Sequence, residues 1–168
     1  DAEVIACIDA ALRDLGLKDI VIRINNRKFL DGIMKEAGIP VKKTVAAIRI
    51  LDKLEKIGEE AVRGELASIG VQKKQADNLF KLISQDLQDA KDFISRFEDI
   101  KGAGELAELI EILLDMGVKN YEVDLTLARG LDYYTGSIFE FRLPDAAEFG
   151  SVAGGGRYDN LIGIFSGK

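Results

Sequence analysis

The chain has 168 residues, 47% of them hydrophobic and 31% charged, which suits an ordinary globular protein with one sizeable core or two small ones. Its net charge of −6 argues against a non-specific nucleic-acid binder, and the absence of histidine removes histidine acid–base catalysis, Ser-His and Cys-His arrangements and nearly every zinc site. No apolar run approaches the ~20 residues of a membrane span, no signal peptide is present, and the single cysteine excludes an internal disulfide framework, so a cytoplasmic location is expected.

The chain opens on Asp1 without a methionine, which suggests a piece of something longer. Asp1 can cap a helix whose buried stripe is Val4, Ile5, Ile8, Leu12 and Leu15, ending at Gly16, with Cys7 as a small buried hydrophobe in the same pattern. Asp19 to Asn25 alternates as a strand with Ile20, Ile22 and Ile24 on one face. Asn25 or Asn26 caps the next helix, which carries Phe29, Leu30, Ile33 and Met34 before Gly38 and Pro40 stop it.

From Pro40 to Gly117 the pattern is helical almost throughout. Val41, Val45, Ile48, Leu51 and Leu54 precede a stop at Gly58; Val62, Leu66 and Ile69 precede a stop at Gly70. Further stripes follow at Leu79 to Ile83, at Leu87, Phe93, Ile94 and Phe97, and from Leu106 to Met116, the pattern of a compact helical bundle. Charge is uneven here: Val41 to Lys81 holds nine bases against six acids, Asp86 to Asp115 nine acids against three bases. Gly102-Ala-Gly104-Glu-Leu-Ala107 satisfies a dinucleotide fingerprint as a string, but no strand precedes it, so a helix–helix turn is the better reading. The acidic clusters Glu59-Glu60 and Asp86 to Asp92 have no metal-ligand spacing and read as solvated surface.

Tyr121, Val123, Leu125 and Leu127 then alternate with polar residues as a half-buried strand, a count that places Arg129 on the apolar side at the strand's end. A guanidinium there keeps its charge and needs an anion. Asp132 or Glu140 could supply it within a hairpin, or a ligand could bring a carboxylate or phosphate. Gly130, the paired Tyr133 and Tyr134 and a Thr135-Gly136 turn lead into a second strand, Ser137 to Leu143, where Glu140 could pair with Arg142 or Arg129. Gly154, Gly155 and Gly156 sit where a third strand should end, and glycines in a strand mark the close approach of a ligand or another backbone. For Arg157 and Asp159 a local ion pair is expected.

Ala128-Arg-Gly-Leu-Asp-Tyr-Tyr-Thr-Gly-Ser-Ile-Phe-Glu-Phe141 and Ala153-Gly-Gly-Gly-Arg-Tyr-Asp-Asn-Leu161 together resemble, in identity, order and spacing, the two signature segments of the histidyl-tRNA synthetases, class II aminoacyl-tRNA synthetases; the likeness extends over the whole chain. The fold so implied is α+β: part of the class II mixed antiparallel sheet interrupted by an inserted helical bundle. Residues 1–30 and 119–168 would form a discontinuous catalytic-core portion and 31–118 the helical insertion. Such enzymes activate histidine with ATP, with Mg2+ expected, and transfer it to tRNA. The resemblance makes Arg129 the catalytic arginine on the amino-acid carboxylate and the α-phosphate. It places Tyr133, Tyr134, Tyr158 and the open floor of Gly154, Gly155 and Gly156 around the histidine. The family's insertion lies against the tRNA acceptor stem, which makes Lys42, Lys43, Lys73, Lys74 and Lys81 candidate contacts, and the family is dimeric. The other class II motifs would lie outside this chain, so catalysis by the piece alone is not expected. The alternative is a non-catalytic, synthetase-like regulatory subunit of the histidine-biosynthetic ATP phosphoribosyltransferase. The long helical insertion and the intact Arg129-to-Tyr134 run favour the ligase.

Overall fold

A computed structural model describes residues 1–84, 94–130 and 133–167. Leu87, Phe93, the acidic run Asp86 to Asp92 and the candidate arginine partner Asp132 lie outside the described residues. The elements are α1 (Ala2–Asp14), β1 (Val21–Asn26), α2 (Arg27–Glu36), α3 (Val41–Leu51), α4 (Leu54–Ser68), α5 (Lys73–Ile83), α6 (Ala103–Asp115), β2 (Tyr121–Val123), β3 (Ser137–Arg142), β4 (Ser151–Gly156) and α7 (Leu161–Ser166), with a 3-10 turn at Pro144–Phe149.

The strands form one sheet in the order β2-β1-β3-β4. β1 runs parallel to β2 and antiparallel to β3, which is antiparallel to β4. A parallel pair needs a long crossover, and here the whole helical run from α2 to α6 lies between β1 and β2. The protein is therefore α+β, a mixed sheet with its helices inserted between two adjacent strands.

Side-chain alternation then separates two sheet faces. Ile22 stands opposite Phe141 and Ile24 opposite Phe139, all four buried. Arg23 stands opposite Glu140, and Glu140 opposite Gly154, on the other face. The apolar face joins a core cluster shared with Phe29, Leu30, Ile33 and Met34 of α2, Ile48 and Leu51 of α3, Leu66 of α4, Leu79 of α5 and Leu106, Ile110 and Leu113 of α6. Each such side chain contributes roughly 1.5–3 kcal/mol relative to leaving it in water.

Local chemistry sets the joints. Asn26 is the cap of α2: its side chain accepts from the backbone N–H groups of Lys28 and Phe29, satisfying two of the helix's free donors. α3 begins directly after Pro40, and Gly58, at φ 77°, breaks the geometry inside α4 where a stop was expected. Gly102, at φ 96°, opens α6. A Cβ on Gly102 would lie 2.6 Å from the Phe29 backbone nitrogen, so this glycine lets α6 start against the first turn of α2. α6 packs on both α1 and β1.

Two expectations fail at α1. Its inward residues are Ala2, Ile5 and Asp9, with Ile8 and Leu12 half-covered, while Val4 and Leu15 are exposed. Cys7 is exposed as well. α1 has its main contact with α6, so one narrow stripe is covered and the outer apolar residues stay in water. Asp9 earns its place on that stripe through hydrogen bonds from Arg13 Nε (2.8 Å) and Asn120 Nδ2 (3.0 Å).

Candidate functional site

The strand before Arg129 is shorter than its alternation suggests. β2 ends at Val123, because the Asp124 side chain accepts from both the backbone N–H (2.8 Å) and the hydroxyl (2.7 Å) of Thr126 and bends the chain into a turn. Leu125 and Leu127 are buried as the pattern required, but by a loop, and Ala128, on the opposite side of the count, is buried as well, so strand parity does not orient Arg129. The loop is fixed instead by two side chains from elsewhere. Asn25, fully buried on β1, donates from Nδ2 to the Leu127 carbonyl at 2.9 Å. Asp52, at the end of α3, accepts from the Ala128 N–H at 3.3 Å.

Arg129 emerges from this loop with its side chain half exposed. Its Nη1 lies 3.2 Å from Glu140 Oε1, and Glu140 is only 2% exposed. The same oxygen lies 3.5 Å from Arg142 Nε, so one buried carboxylate faces two guanidinium groups. Glu140 Oε1 has no hydrogen-bond partner among the described residues, which makes these charge contacts without bond geometry. A guanidinium carries five donors, and one loose contact to Glu140 leaves most of the Arg129 fork available.

Arg129, Tyr133 and Tyr134 line one cavity of about 280 Å³ together with Glu140, Gly154 and Gly155. Tyr158 is not on that wall. Its ring stacks on Tyr133 at 5.0 Å and 4° and meets Tyr134 edge-on at 4.9 Å, while Tyr133 and Tyr134 meet edge-on at 4.6 Å. The three rings thus form a single aromatic cluster of which two members reach the hollow. Burial, with the other two phenols adding, pushes the Tyr134 hydroxyl above its ordinary 10.0. It stays protonated across the physiological range, able both to donate and to accept.

The glycines differ in what they permit. A Cβ on Gly156 would lie 2.7 Å from the Tyr134 ring and 2.8 Å from the Ser137 carbonyl, and one on Gly155 would lie 2.7 Å from the Phe139 ring. These two let the Tyr134 and Phe139 rings come up against the strand. At Gly154 the nearest atom would be the Phe139 carbonyl at 3.2 Å, and Gly154 faces the hollow. Gly130, at φ 68°, combines a left-handed backbone with direct apposition to the Tyr134 ring. The turn after the rings is closed by Arg157 Nε donating to Asp159 (2.9 Å), the local pair expected, and by the Thr135 hydroxyl donating to Asp159 (2.8 Å). Those bonds, Arg157 first, hold the Asp159 carboxyl below its usual range.

The five lysines stand apart from this hollow, on α3 and α5. Lys42, Lys73, Lys74 and Lys81 are exposed, whereas Lys43 donates to the Gly70 carbonyl and ties α3 to the end of α4. No group of three or more Asp, Glu, Cys or His placed to hold a metal ion occurs among the described residues. Among the described residues no helix is long and apolar enough to cross a membrane.

Sequence reading missed Asn25 as a loop anchor, Asp52, and Glu55, which accepts from Arg142 Nη1 at 2.5 and 2.7 Å and from Arg23 Nη1 at 3.1 Å. Only the Asn25-Asn26 pair at a strand end carried a signal, and it suggested a helix cap.

Chemically, the hollow offers a permanent forked cation, phenols that donate or accept, a glycine floor and a buried carboxylate. That set suits a small zwitterion with a polar, planar side chain.

The family model for histidyl-tRNA synthetase matches residues 1–168. A histidine–tRNA ligase of Gloeobacter violaceus is 42% identical over 176 residues, taking in 99% of this chain and 37% of that protein. The solved histidyl-tRNA synthetase of Nostoc sp. PCC 7120 superposes with a TM-score of 0.91 at 34% identity, over 100% of this chain and 42% of that one. A Bacillus halodurans structure described as an ATP phosphoribosyltransferase regulatory subunit/histidyl-tRNA synthetase superposes with a TM-score of 0.77 at 23% identity over 99% of this chain and 44% of that one, a likeness of fold alone. The chain thus spans well under half the length of the relatives it matches.

Proposed function

Since the chain belongs to the histidyl-tRNA synthetase family, we propose that it supplies the histidine-binding wall and the catalytic arginine of a class II histidine–tRNA ligase. The observation that carries this reading is the Arg129 guanidinium, half exposed, on the same cavity as Tyr133, Tyr134, Gly154 and Gly155. Histidine's carboxylate meets Arg129, and its imidazole lies against the phenols of Tyr133 and Tyr134, with Tyr158 stacked on Tyr133 behind them. Gly154 and Gly155 keep the floor low enough for the ring to enter, and Gly156 leaves room for the Tyr134 ring beside it.

In the activation step a carboxylate oxygen of histidine attacks the α-phosphorus of ATP, a P–O bond forms, and pyrophosphate leaves. Negative charge grows on the phosphoryl oxygens, and Arg129 stabilises it without any proton transfer. Removing one such donor from comparable sites costs on the order of 3 kcal/mol or more. A tyrosine hydroxyl that loses its nitrogen partner discriminates against amino acids lacking the imidazole. ATP is a substrate here, and Mg2+ accompanies its phosphates; with no acid cluster to hold that ion among the described residues, no step is assigned to it.

The same reading divides the chain into core portions at 1–30 and 119–168 and a helical insertion at 31–118, with α6 packed against the core. The insertion then faces the tRNA acceptor stem, with Lys42, Lys73, Lys74 and Lys81 free to meet phosphates and Lys43 committed to its helix contact. A homodimer in the cytoplasm completes the picture.

Histidine-dependent ATP–pyrophosphate exchange tests it. A protein of the relatives' full length carrying these residues should exchange; the 168-residue chain alone, which spans 37% of the Gloeobacter violaceus relative, should not. The alternative, a regulatory subunit of ATP phosphoribosyltransferase, has the fold likeness to the Bacillus halodurans protein behind it. Histidine binding without exchange by the longer protein would decide for that alternative. Neither binding nor exchange would overturn both.

A further inference from the structure

We infer that Asp52 is a positioning residue for Arg129, through which the corner between α3 and α4 sets the arginine's place in the hollow; the catalytic consequence rests on the ligase reading, the anchoring does not. After Asp124, whose N–H still bonds the Ile24 carbonyl of β1 at 2.9 Å, the segment from Leu125 to Gly130 belongs to no strand ladder, so beyond its buried leucines its position depends on the few bonds it makes to other elements. Ala128 is 2% exposed, and its N–H finds its acceptor on Asp52, at 3.3 Å across a separation of 76 residues. A buried N–H without an acceptor is costly, so Asp52 selects the loop conformation that points Arg129 at the cavity.

The same corner reaches the arginine's side chain by a second route. Glu55, three residues on, binds Arg142 at 2.5 and 2.7 Å. Arg142 Nε lies 3.5 Å from Glu140, whose oxygen lies 3.2 Å from Arg129. Asp52 therefore holds the backbone just before Arg129, while Glu55 fixes the cation that shares Arg129's counter-charge. Arg129 and Arg142, together with Asp52, Glu55 and Glu140, line one further cavity of about 240 Å³, which places both routes around a single space. Asp52 reaches the arginine through its backbone, and Glu55 reaches it through Arg142 while also accepting from Arg23 of β1 at 3.1 Å.

Two measurements test this. In a full-length protein carrying these residues, Asp52→Ala should lower kcat for histidine-dependent exchange about tenfold and raise the histidine KM by a smaller factor, since Arg129 meets the carboxylate in the ground state while the charge it stabilises grows in the transition state. Asp52→Asn, which keeps an acceptor oxygen in the same place, should recover most of the loss; a residue with only a scaffold role would lower melting temperature without this split or rescue. Independently of catalysis, amide hydrogen exchange on the 168-residue chain should quicken about tenfold at Ala128 in Asp52→Ala, with the amides of α6 unchanged. Should Asp52→Ala not fold, Glu55→Gln should still lower kcat, by a smaller factor. Wild-type kcat in a folded Asp52→Ala protein, or unaltered exchange at Ala128, overturns the inference. If the parent protein shows no pyrophosphate exchange, the ligase reading fails and the amide measurement alone decides the anchoring.

Discussion

Three arginines lie around the polar face of the sheet, and they are matched very differently. Arg23, its side chain 13% exposed, contacts Glu55, Glu122 and Asp124 together with the Thr126 hydroxyl. Arg142 is held twice by Glu55 and lies beside Glu140. Arg129, 50% exposed, has Glu140 as its one ion-pair partner among the described residues, and Arg142 shares that partner. A cation surrounded by carboxylates joins elements together; a cation left half-matched at the mouth of a hollow can still accept an anion that arrives. The three lie close to one another, so partner count, rather than residue type or neighbourhood, separates scaffold from site.

The sharpest break in that comparison is Arg129→Ala in the full-length protein. It should lower the rate of histidine activation by on the order of 3 kcal/mol, roughly a hundredfold or more, with little change in melting temperature, as read by pyrophosphate exchange and thermal unfolding. Arg23→Ala should do the reverse. Leaving Asp124, 11% exposed, without its cation should cost about 2–3 kcal/mol of stability in urea titration, with activity per folded molecule much less affected. Gly156→Ala tests the floor: its Cβ would meet both the Tyr134 ring and a backbone carbonyl, and the overpacking should cost about 1–3 kcal/mol and disturb the tyrosine cluster in near-ultraviolet circular dichroism.

The smallest effect concerns pH. The hydrogen bond from Arg142, reinforced by Arg23 and opposed by partial burial, holds the Glu55 carboxyl below its ordinary 4.5. A depressed carboxyl pKa contributes stability that is present above the unfolded value and lost as pH falls through the folded one. Wild type should therefore lose stability relative to Glu55→Gln below about pH 4.5. Because Glu55 is 58% exposed, the difference should stay under about 1 kcal/mol and shrink with added salt. A wild-type to Glu55→Gln difference that stays constant as pH falls through 4.5 would assign the acid response to another group.

What the sequence made legible follows the range of the interactions. The strand at Val21–Asn26, the helical run and the glycine-bearing strand were readable because alternation, helical stripes and turn glycines act between near neighbours. The paired tyrosines and triple glycine were readable because their chemistry is packed into two short segments. Asp124 was misjudged: as one polar member of an alternating run it continued a strand, but its side chain captured Thr126 and ended it. α1 was misjudged because a helix with one principal partner buries a narrower stripe than its sequence offers, leaving Val4, Leu15 and Cys7 outside. The roles of Asn25, Asp52 and Glu55 were not legible, since each depends on a residue 76 or more positions away. Nothing local in Leu51-Asp52-Lys53-Leu54-Glu55 marks two of its acids as neighbours of the arginine loop.

The most direct test is a crystal structure of the full-length protein with histidine bound. The account predicts the amino-acid carboxylate on the Arg129 guanidinium, the imidazole within hydrogen-bond distance of a phenol of the Tyr133 and Tyr134 pair, and the ring above Gly154 and Gly155. Histidine lodged elsewhere, with Arg129 still turned onto Glu140 and the glycine-floored hollow empty, would contradict it.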